Sequence, residues 1–149
     1  MRALLAVASP SAGYAHRVED REPPGDGADD DGLAVPSAPR NIALLRRYAV
    51  TACTRFGRSD AVDTVALLVS EVATNAVLHA YGPEVRVRVL AIGRCLRIEV
   101  FDGSPLLPVQ RDAAQGAEGG RGIAIVEALA VRWGVDARAT GKTFWFEVD

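Results

Sequence analysis

The chain has 149 residues, 49% of them hydrophobic and 24% charged, with a formal net charge of −2. That is a single-domain length with one real core, and the class is soluble globular. The charge gives no global reason to expect nucleic acid, and no run of the sequence reads as a membrane span.

Residues 1–32 differ in composition from the rest. They hold three Arg and seven Asp/Glu, net −4, which leaves fourteen basic and twelve acidic residues, net +2, in 33–149. Pro23-Pro24-Gly25-Asp26-Gly27-Ala28-Asp29-Asp30-Asp31-Gly32 is nearly free of apolar side chains. Such a segment cannot bury enough surface to offset its ordering entropy, so a disordered acidic tail is expected over 1–32 and one folded domain over 33–149. The first eight residues faintly imitate a signal peptide, but one Arg and a very short apolar run before Ser9-Pro10-Ser11 argue against export. Cys53 and Cys95 lie far apart with no metal spacing, and read as buried free thiols in a reducing cytoplasm.

Leu33-Ala34-Val35 reads as a short edge strand. Ser37 is placed to cap a helix with Pro39 in its first turn. Ile42, Leu45, Ala49, Ala52 or Cys53, and Phe56 form the apolar face of that helix, Arg46, Arg47 and Arg55 lie opposite, and Gly57 stops it. Ser59 or Asp60 caps a second helix that ends near Tyr81-Gly82-Pro83.

The second helix carries two patterns. Val65, Leu68, Val69, Val72 and Ala76 recur at spacings of three and four, which is one apolar stripe. Glu71, Asn75 and His79 recur four apart, so they stack on a neighbouring strip. That strip is either a solvated face or a set of ligands; its carboxylate and amide oxygens suit Mg²⁺ and its waters.

Period-two alternation follows. Val85, Val87 and Val89 alternate with Glu84, Arg86 and Arg88; after Gly93-Arg94, Leu96, Ile98 and Val100 alternate with Arg97, Glu99 and Phe101. This is a hairpin with one buried face, ending in the turn signal Asp102-Gly103-Ser104-Pro105. Residues 106–118 read as a loop that closes on Gly119-Gly120-Arg121-Gly122. A third helix is expected over about 123–130, then strands near 131–137 and 142–148. The order β-α-α-β-β-α-β-β predicts an α+β two-layer sandwich, helices on one face of a mostly antiparallel sheet.

A glycine cluster opening a helix is one way to hold phosphate, since backbone N–H groups can approach the oxygens; it also serves as a plain loop-to-helix joint. It is neither a Walker loop nor a dinucleotide-binding fingerprint.

In series, Ser70-Glu71-Val72-Ala73-Thr74-Asn75-Ala76-Val77-Leu78-His79-Ala80, Asp102-Gly103-Ser104-Pro105, Glu118-Gly119-Gly120-Arg121-Gly122-Ile123-Ala124-Ile125-Val126 and Gly141-Lys142-Thr143-Phe144-Trp145-Phe146 resemble the histidine-kinase-like (GHKL) ATP-binding family. The resemblance is to the branch of bacterial anti-sigma-factor serine/threonine kinases, and runs from about Leu33 to the C-terminus. It implies the Bergerat-type sandwich, ATP and Mg²⁺ as ligands, and a sigma factor or an anti-sigma antagonist protein as partner, with no direct nucleic-acid or membrane contact.

It also implies roles. Asn75 would coordinate Mg²⁺, and Glu71 would act as general base on a protein Ser or Thr hydroxyl. Phosphoryl transfer needs a metal to gather phosphate charge and a carboxylate to take the proton. His79 would either face phosphate or pack the helix end. Asp102 would accept the adenine amino group, with Gly103 letting the backbone approach the base. Gly119, Gly120 and Gly122 would line the phosphates, Arg121 would add a cation, and Thr143 would hydrogen-bond near Asp102. Ser104-Pro105 replaces the Gly-x-Gly of many relatives, and 106–118 is short for a lid. Two functions follow: a kinase in a partner-switching circuit, or a binding module that clamps its partner without phosphoryl transfer. A homodimer through the first helix and sheet edge is compatible with either.

Overall fold

The computed structural model describes residues 32–79, 82–103 and 122–149. Strand β1 (Leu33–Pro36) leads through a single 3₁₀ turn (Pro39–Asn41) into helix α1 (Ile42–Arg55). A second 3₁₀ turn (Ser59–Ala61) leads into α2 (Val62–His79), followed by β2 (Glu84–Ile92) and β3 (Cys95–Asp102). Helix α3 (Gly122–Leu129) precedes β4 (Arg132–Arg138) and β5 (Gly141–Val148). The five strands form one sheet in the order β1-β2-β3-β5-β4, every neighbour antiparallel. This is the expected α+β architecture and element order.

Period-two alternation explains which face is covered. Val85, Val87 and Val89 of β2, Leu96, Ile98 and Val100 of β3, and Phe144, Phe146 and Val148 of β5 are all buried in one core. Opposite them lie Leu45, Ala49, Ala52 and Cys53 of α1 and Val65, Leu68, Val69, Val72 and Ala76 of α2. Each fully buried large aliphatic or aromatic side chain contributes about 1.5–3 kcal/mol. Helix α1 packs on β2, while α2 packs on α1, β3 and α3. By length and composition Ser59–Leu78 could cross a membrane, which corrects the reading that no run approaches a span. Its stripe is instead part of the domain core, with Val65, Leu68, Val69 and Ala73 fully buried.

Among the described residues, the other sheet face carries polar and aromatic side chains of the strands that pair with one another. Glu147, 1% exposed, accepts from Arg97 Nη2 at 2.8 Å and Arg132 Nη2 at 2.6 Å. The Arg97 guanidinium lies 3.9 Å from the Trp145 ring centroid, a cation–π contact. Gly134 makes room for that indole: a Cβ there would lie 2.6 Å from a ring carbon. Arg88 and Glu99 form a further pair across β2 and β3 at 2.8 Å.

The helix starts depart from the sequence reading. Ser37 caps nothing; its N–H bonds the Pro83 carbonyl at 3.0 Å, tying β1 to the start of β2. Asn41 stands at the N-cap of α1 and sends its side-chain amide back to Pro36 O at 2.8 Å. Pro39 opens a 3₁₀ turn, which delays the α-helix to Ile42. Before α2, Asp60 pairs with Arg58 at 3.2 Å, and Arg58 also donates to Arg94 O at 2.7 Å. This clamps the α1–α2 corner to the β2–β3 turn. Arg58 in turn holds the exposed Asp60 carboxyl below its ordinary pKa, chiefly through their hydrogen bond. Both cysteines are free, as expected; Cys53 is buried and Cys95 half-buried.

Candidate functional site

The polar strip of α2 borders the core stripe along one helix face. Glu71 and Asn75 are half-buried, one turn apart, while Val72, Ala73 and Ala76 beside them are buried. Nearby hydroxyls turn back on the helix: Ser70 Oγ donates to Ala66 O at 2.7 Å and Thr74 Oγ1 to Ser70 O at 2.6 Å. Ser70 also accepts from Arg46 Nη1 at 3.2 Å, linking α1 to the residue before Glu71. His79 closes α2 one turn beyond Asn75, and the expectation for its side chain lies outside what the structure describes.

Helix α3 begins against this strip. A methyl group on Gly122 would lie 3.1 Å from Asn75 Nδ2 and 3.3 Å from Glu71 Oε2. Glycine at the first position of α3 is therefore what lets the helix start close to both side chains. The structure thus brings Glu71, Asn75 and Gly122 together. Gly119, Gly120 and Arg121 lie outside the described residues.

The second half of the site is the end of β3. Asp102 is 3% exposed and accepts from Lys142 Nζ at 3.1 Å. The register that pairs Asp102 with Lys142 across β3 and β5 puts both on the core face. A buried carboxylate needs such a partner, since desolvation of an unpaired charge costs several kcal/mol.

Backbone crowds the same corner. A Cβ on Gly103 would lie 2.7 Å from Gly82 Cα. A Cβ on Gly141, whose φ is +147°, would overlap the Asp102 carbonyl oxygen and lie 3.0 Å from Gly103 Cα. Three glycines from three loops let three backbone segments meet beside Asp102.

Thr143 is not brought to this corner. It pairs with Phe101, one position along the ladder, and so sits on the sheet face opposite Asp102. Lys142, which the sequence reading passed over, takes that place. The signal was parity: counting back from Phe146 and Phe144 puts Lys142 inward. Trp145, also apolar, blurred the alternation. Gly82 and Gly141 were likewise given no role.

Chemically, the arrangement offers a buried acceptor at Asp102, a carboxylate at Glu71 and an amide at Asn75. No group of three or more His, Cys, Asp or Glu among the described residues could hold a metal. Of the described residues, Glu71 and Asn75 could offer a hard cation one or two oxygen ligands, with phosphate and water completing its shell, the kind of coordination Mg²⁺ takes. The Asp102 carboxylate can accept from a base amino group, and the glycine corner fixes the backbone that carries it by close packing of three segments.

Comparison with known proteins bears on what the site holds. The chain is similar to the histidine kinase domain from the Erythrobacter litoralis EL346 blue-light activated histidine kinase. The two are 24% identical over 76% of this chain and 61% of that one, with a TM-score of 0.46. It is also similar to a longer structure of that Erythrobacter litoralis histidine kinase, at 29% identity over 58% of this chain and 30% of that one, TM-score 0.44. The chain spans less than two thirds of the length of either. No curated protein matches it. The family model described as the histidine kinase-like ATPase domain matches residues 35–147, which take in the sheet, the three helices and both halves of the site. The chain belongs to the histidine kinase-like ATPase domain family, a family that implies ATP binding.

Proposed function

We propose that this protein is an ATP-dependent protein serine/threonine kinase and anti-sigma factor, acting in the cytoplasm within a partner-switching circuit. The observation that carries the reading is the meeting of Glu71 and Asn75 with Gly122 at the start of α3. It sets a carboxylate and a side-chain amide beside a helix N-terminus, the end that favours phosphate.

In this reading Asp102 accepts the adenine amino group and Asn75 holds Mg²⁺, which would gather charge on the phosphates. A Ser or Thr oxygen of the antagonist protein forms a bond to the γ-phosphorus of ATP. The bond from that phosphorus to the ADP oxygen breaks, ADP leaves, and Glu71 takes the hydroxyl proton. The sigma factor is held or released according to the state of that exchange. Support for the serine/threonine branch comes from the sequence motifs, which run in the order and spacing of that branch.

The test is transfer from Mg-ATP to a purified candidate antagonist, read as phosphoserine or phosphothreonine. Glu71→Gln keeps shape and hydrogen bonding but loses basicity. It should leave ATP binding intact and slow transfer by about 10²–10⁴. Transfer at the wild-type rate would remove Glu71 as base. A wild-type protein that binds a sigma factor yet phosphorylates no antagonist would instead be the binding module.

A further inference from the structure

Lys142 is the only lysine among the 17 basic residues of the chain, and it lies against Asp102. It is 7% exposed, on the core face of the sheet, at the site end of β5. Arginine forms every other basic contact described here, with Asp60, Glu84, Glu99 and Glu147. The two cations are not equivalent. Guanidinium is a planar fork that suits bidentate pairing, whereas ammonium is a compact point charge with three donors that rotate about one stem. One of those donors meets Asp102 Oδ1, and an ammonium can serve a second acceptor beside it.

We propose that Lys142 is a base-reading residue, donating to the ring nitrogen N1 of adenine while Asp102 accepts from the adjacent N6 amino group. The inference rests on the adenine reading of Asp102 and goes beyond it. The edge of adenine presents a donor beside an acceptor. Asp102 and Lys142 present an acceptor beside a donor, 3.1 Å apart and fixed by one cross-strand pair. Guanine in the same pose turns a carbonyl oxygen toward the carboxylate and an N–H toward the ammonium, so both contacts become repulsive. Burial sharpens this choice, because an unmade hydrogen bond in a dry site is not replaced by water. The pair thus selects adenine by two positions, where a lone carboxylate would read one.

Calorimetry on the full chain with two Mg-nucleotides tests it: ATP and 1-deaza-ATP (in which N1 is replaced by C–H). Wild type should bind ATP about ten- to a hundredfold more tightly than 1-deaza-ATP, the size of one hydrogen bond to a charged group. Lys142→Met should bind those two with equal affinity. A wild-type protein that binds ATP and 1-deaza-ATP equally overturns the proposal. So does a Lys142→Met protein that loses affinity for both yet still prefers ATP, since Lys142 would then serve only as the counter-charge of Asp102. If Lys142→Met does not fold, the double variant Asp102→Asn with Lys142→Met, which leaves no unpaired buried charge, is compared in its place: equal affinity for ATP and 1-deaza-ATP supports the proposal and a retained preference for ATP overturns it. A wild type that binds no ATP at all overturns the adenine reading of Asp102 and this proposal with it.

Discussion

Gly141→Ala isolates the backbone crowding beside Asp102. The substitution adds one methyl group at a position with φ of +147°, where it would overlap the Asp102 carbonyl oxygen and lie 3.1 Å from the carbonyl carbon. Two costs add. An L-residue held in this nearly glycine-only region costs about 1–3 kcal/mol. Overpacking against a backbone that cannot rotate aside costs about 1–3 kcal/mol more. Gly57 provides the control, because its φ is +73° and nothing lies within 4 Å of where its Cβ would stand. Gly57→Ala therefore carries the conformational cost without the overlap. Both variants are unfolded in urea and by heat, followed by far-ultraviolet circular dichroism. Gly141→Ala should lose about 2–6 kcal/mol and Gly57→Ala about 1–2, with the difference combining the overlap and the rarer backbone conformation of Gly141. Where Gly141→Ala folds, its ATP affinity should also fall, because the carbonyl it displaces belongs to Asp102. Equal stability of the two variants would refute the argument that the corner is packed to the limit of backbone contact.

Three further outcomes are expected. Gly122→Ala should leave stability within about 1 kcal/mol, since alanine is the better helix former by about that amount. It should weaken Mg-ATP binding measured by calorimetry, because Asn75 and Glu71 must move a few tenths of an ångström; unchanged binding would detach Gly122 from the site. On the outer face, Arg97→Met with Arg132→Met leaves the buried Glu147 carboxylate unpaired and should cost about 3–5 kcal/mol. Glu147→Met should cost less in urea denaturation, as the arginines it frees are 25% and 50% exposed and can hydrate; the reverse order would contradict the argument. Burial pushes the Cys53 thiol up to about 11 from 9.0. A raised acid favours the protonated folded form, so this stability is full below pH 9 and is lost as pH rises toward 11. Cys53→Ala should flatten the decline of melting temperature in that window.

What the sequence disclosed depended on how many constraints spoke at once. The β2–β3 hairpin was legible because Val85, Val87 and Val89 alternate strictly with charged residues. The α2 strip was legible because Glu71 and Asn75 are polar beside an unbroken apolar stripe. In β5 the aromatic run Phe144-Trp145-Phe146 erased the alternation, since Trp145 is buried on the outer face by Arg97 and Gly134. The parity of Lys142 and Thr143 was lost with it. Ser37 looked like a cap because serine favours that position, but the 3₁₀ turn after it moved the cap to Asn41. The glycine corner joins Gly82, Gly103 and Gly141, contacts between distant loops that no local pattern encodes.

The two halves of the site are built by different means, and α2 joins them. Asp102 and Lys142 are set by strand register, which shifts only in whole residues. Glu71, Asn75 and Gly122 are set by the approach of α3 to α2, which can vary continuously. Helix α2 packs on both β3 and α3, so it determines how far Glu71 and Asn75 stand from Asp102 and Lys142. Its core and site residues interleave, with Glu71 next to buried Val72 and Asn75 next to buried Ala76. Repacking that stripe therefore moves the carboxylate and the amide relative to Asp102 even where no site residue is touched. On the proposed kinase reading a misplacement near 1 Å costs about a hundredfold in rate, so that reading puts the core of α2 under tighter constraint than burial alone would impose.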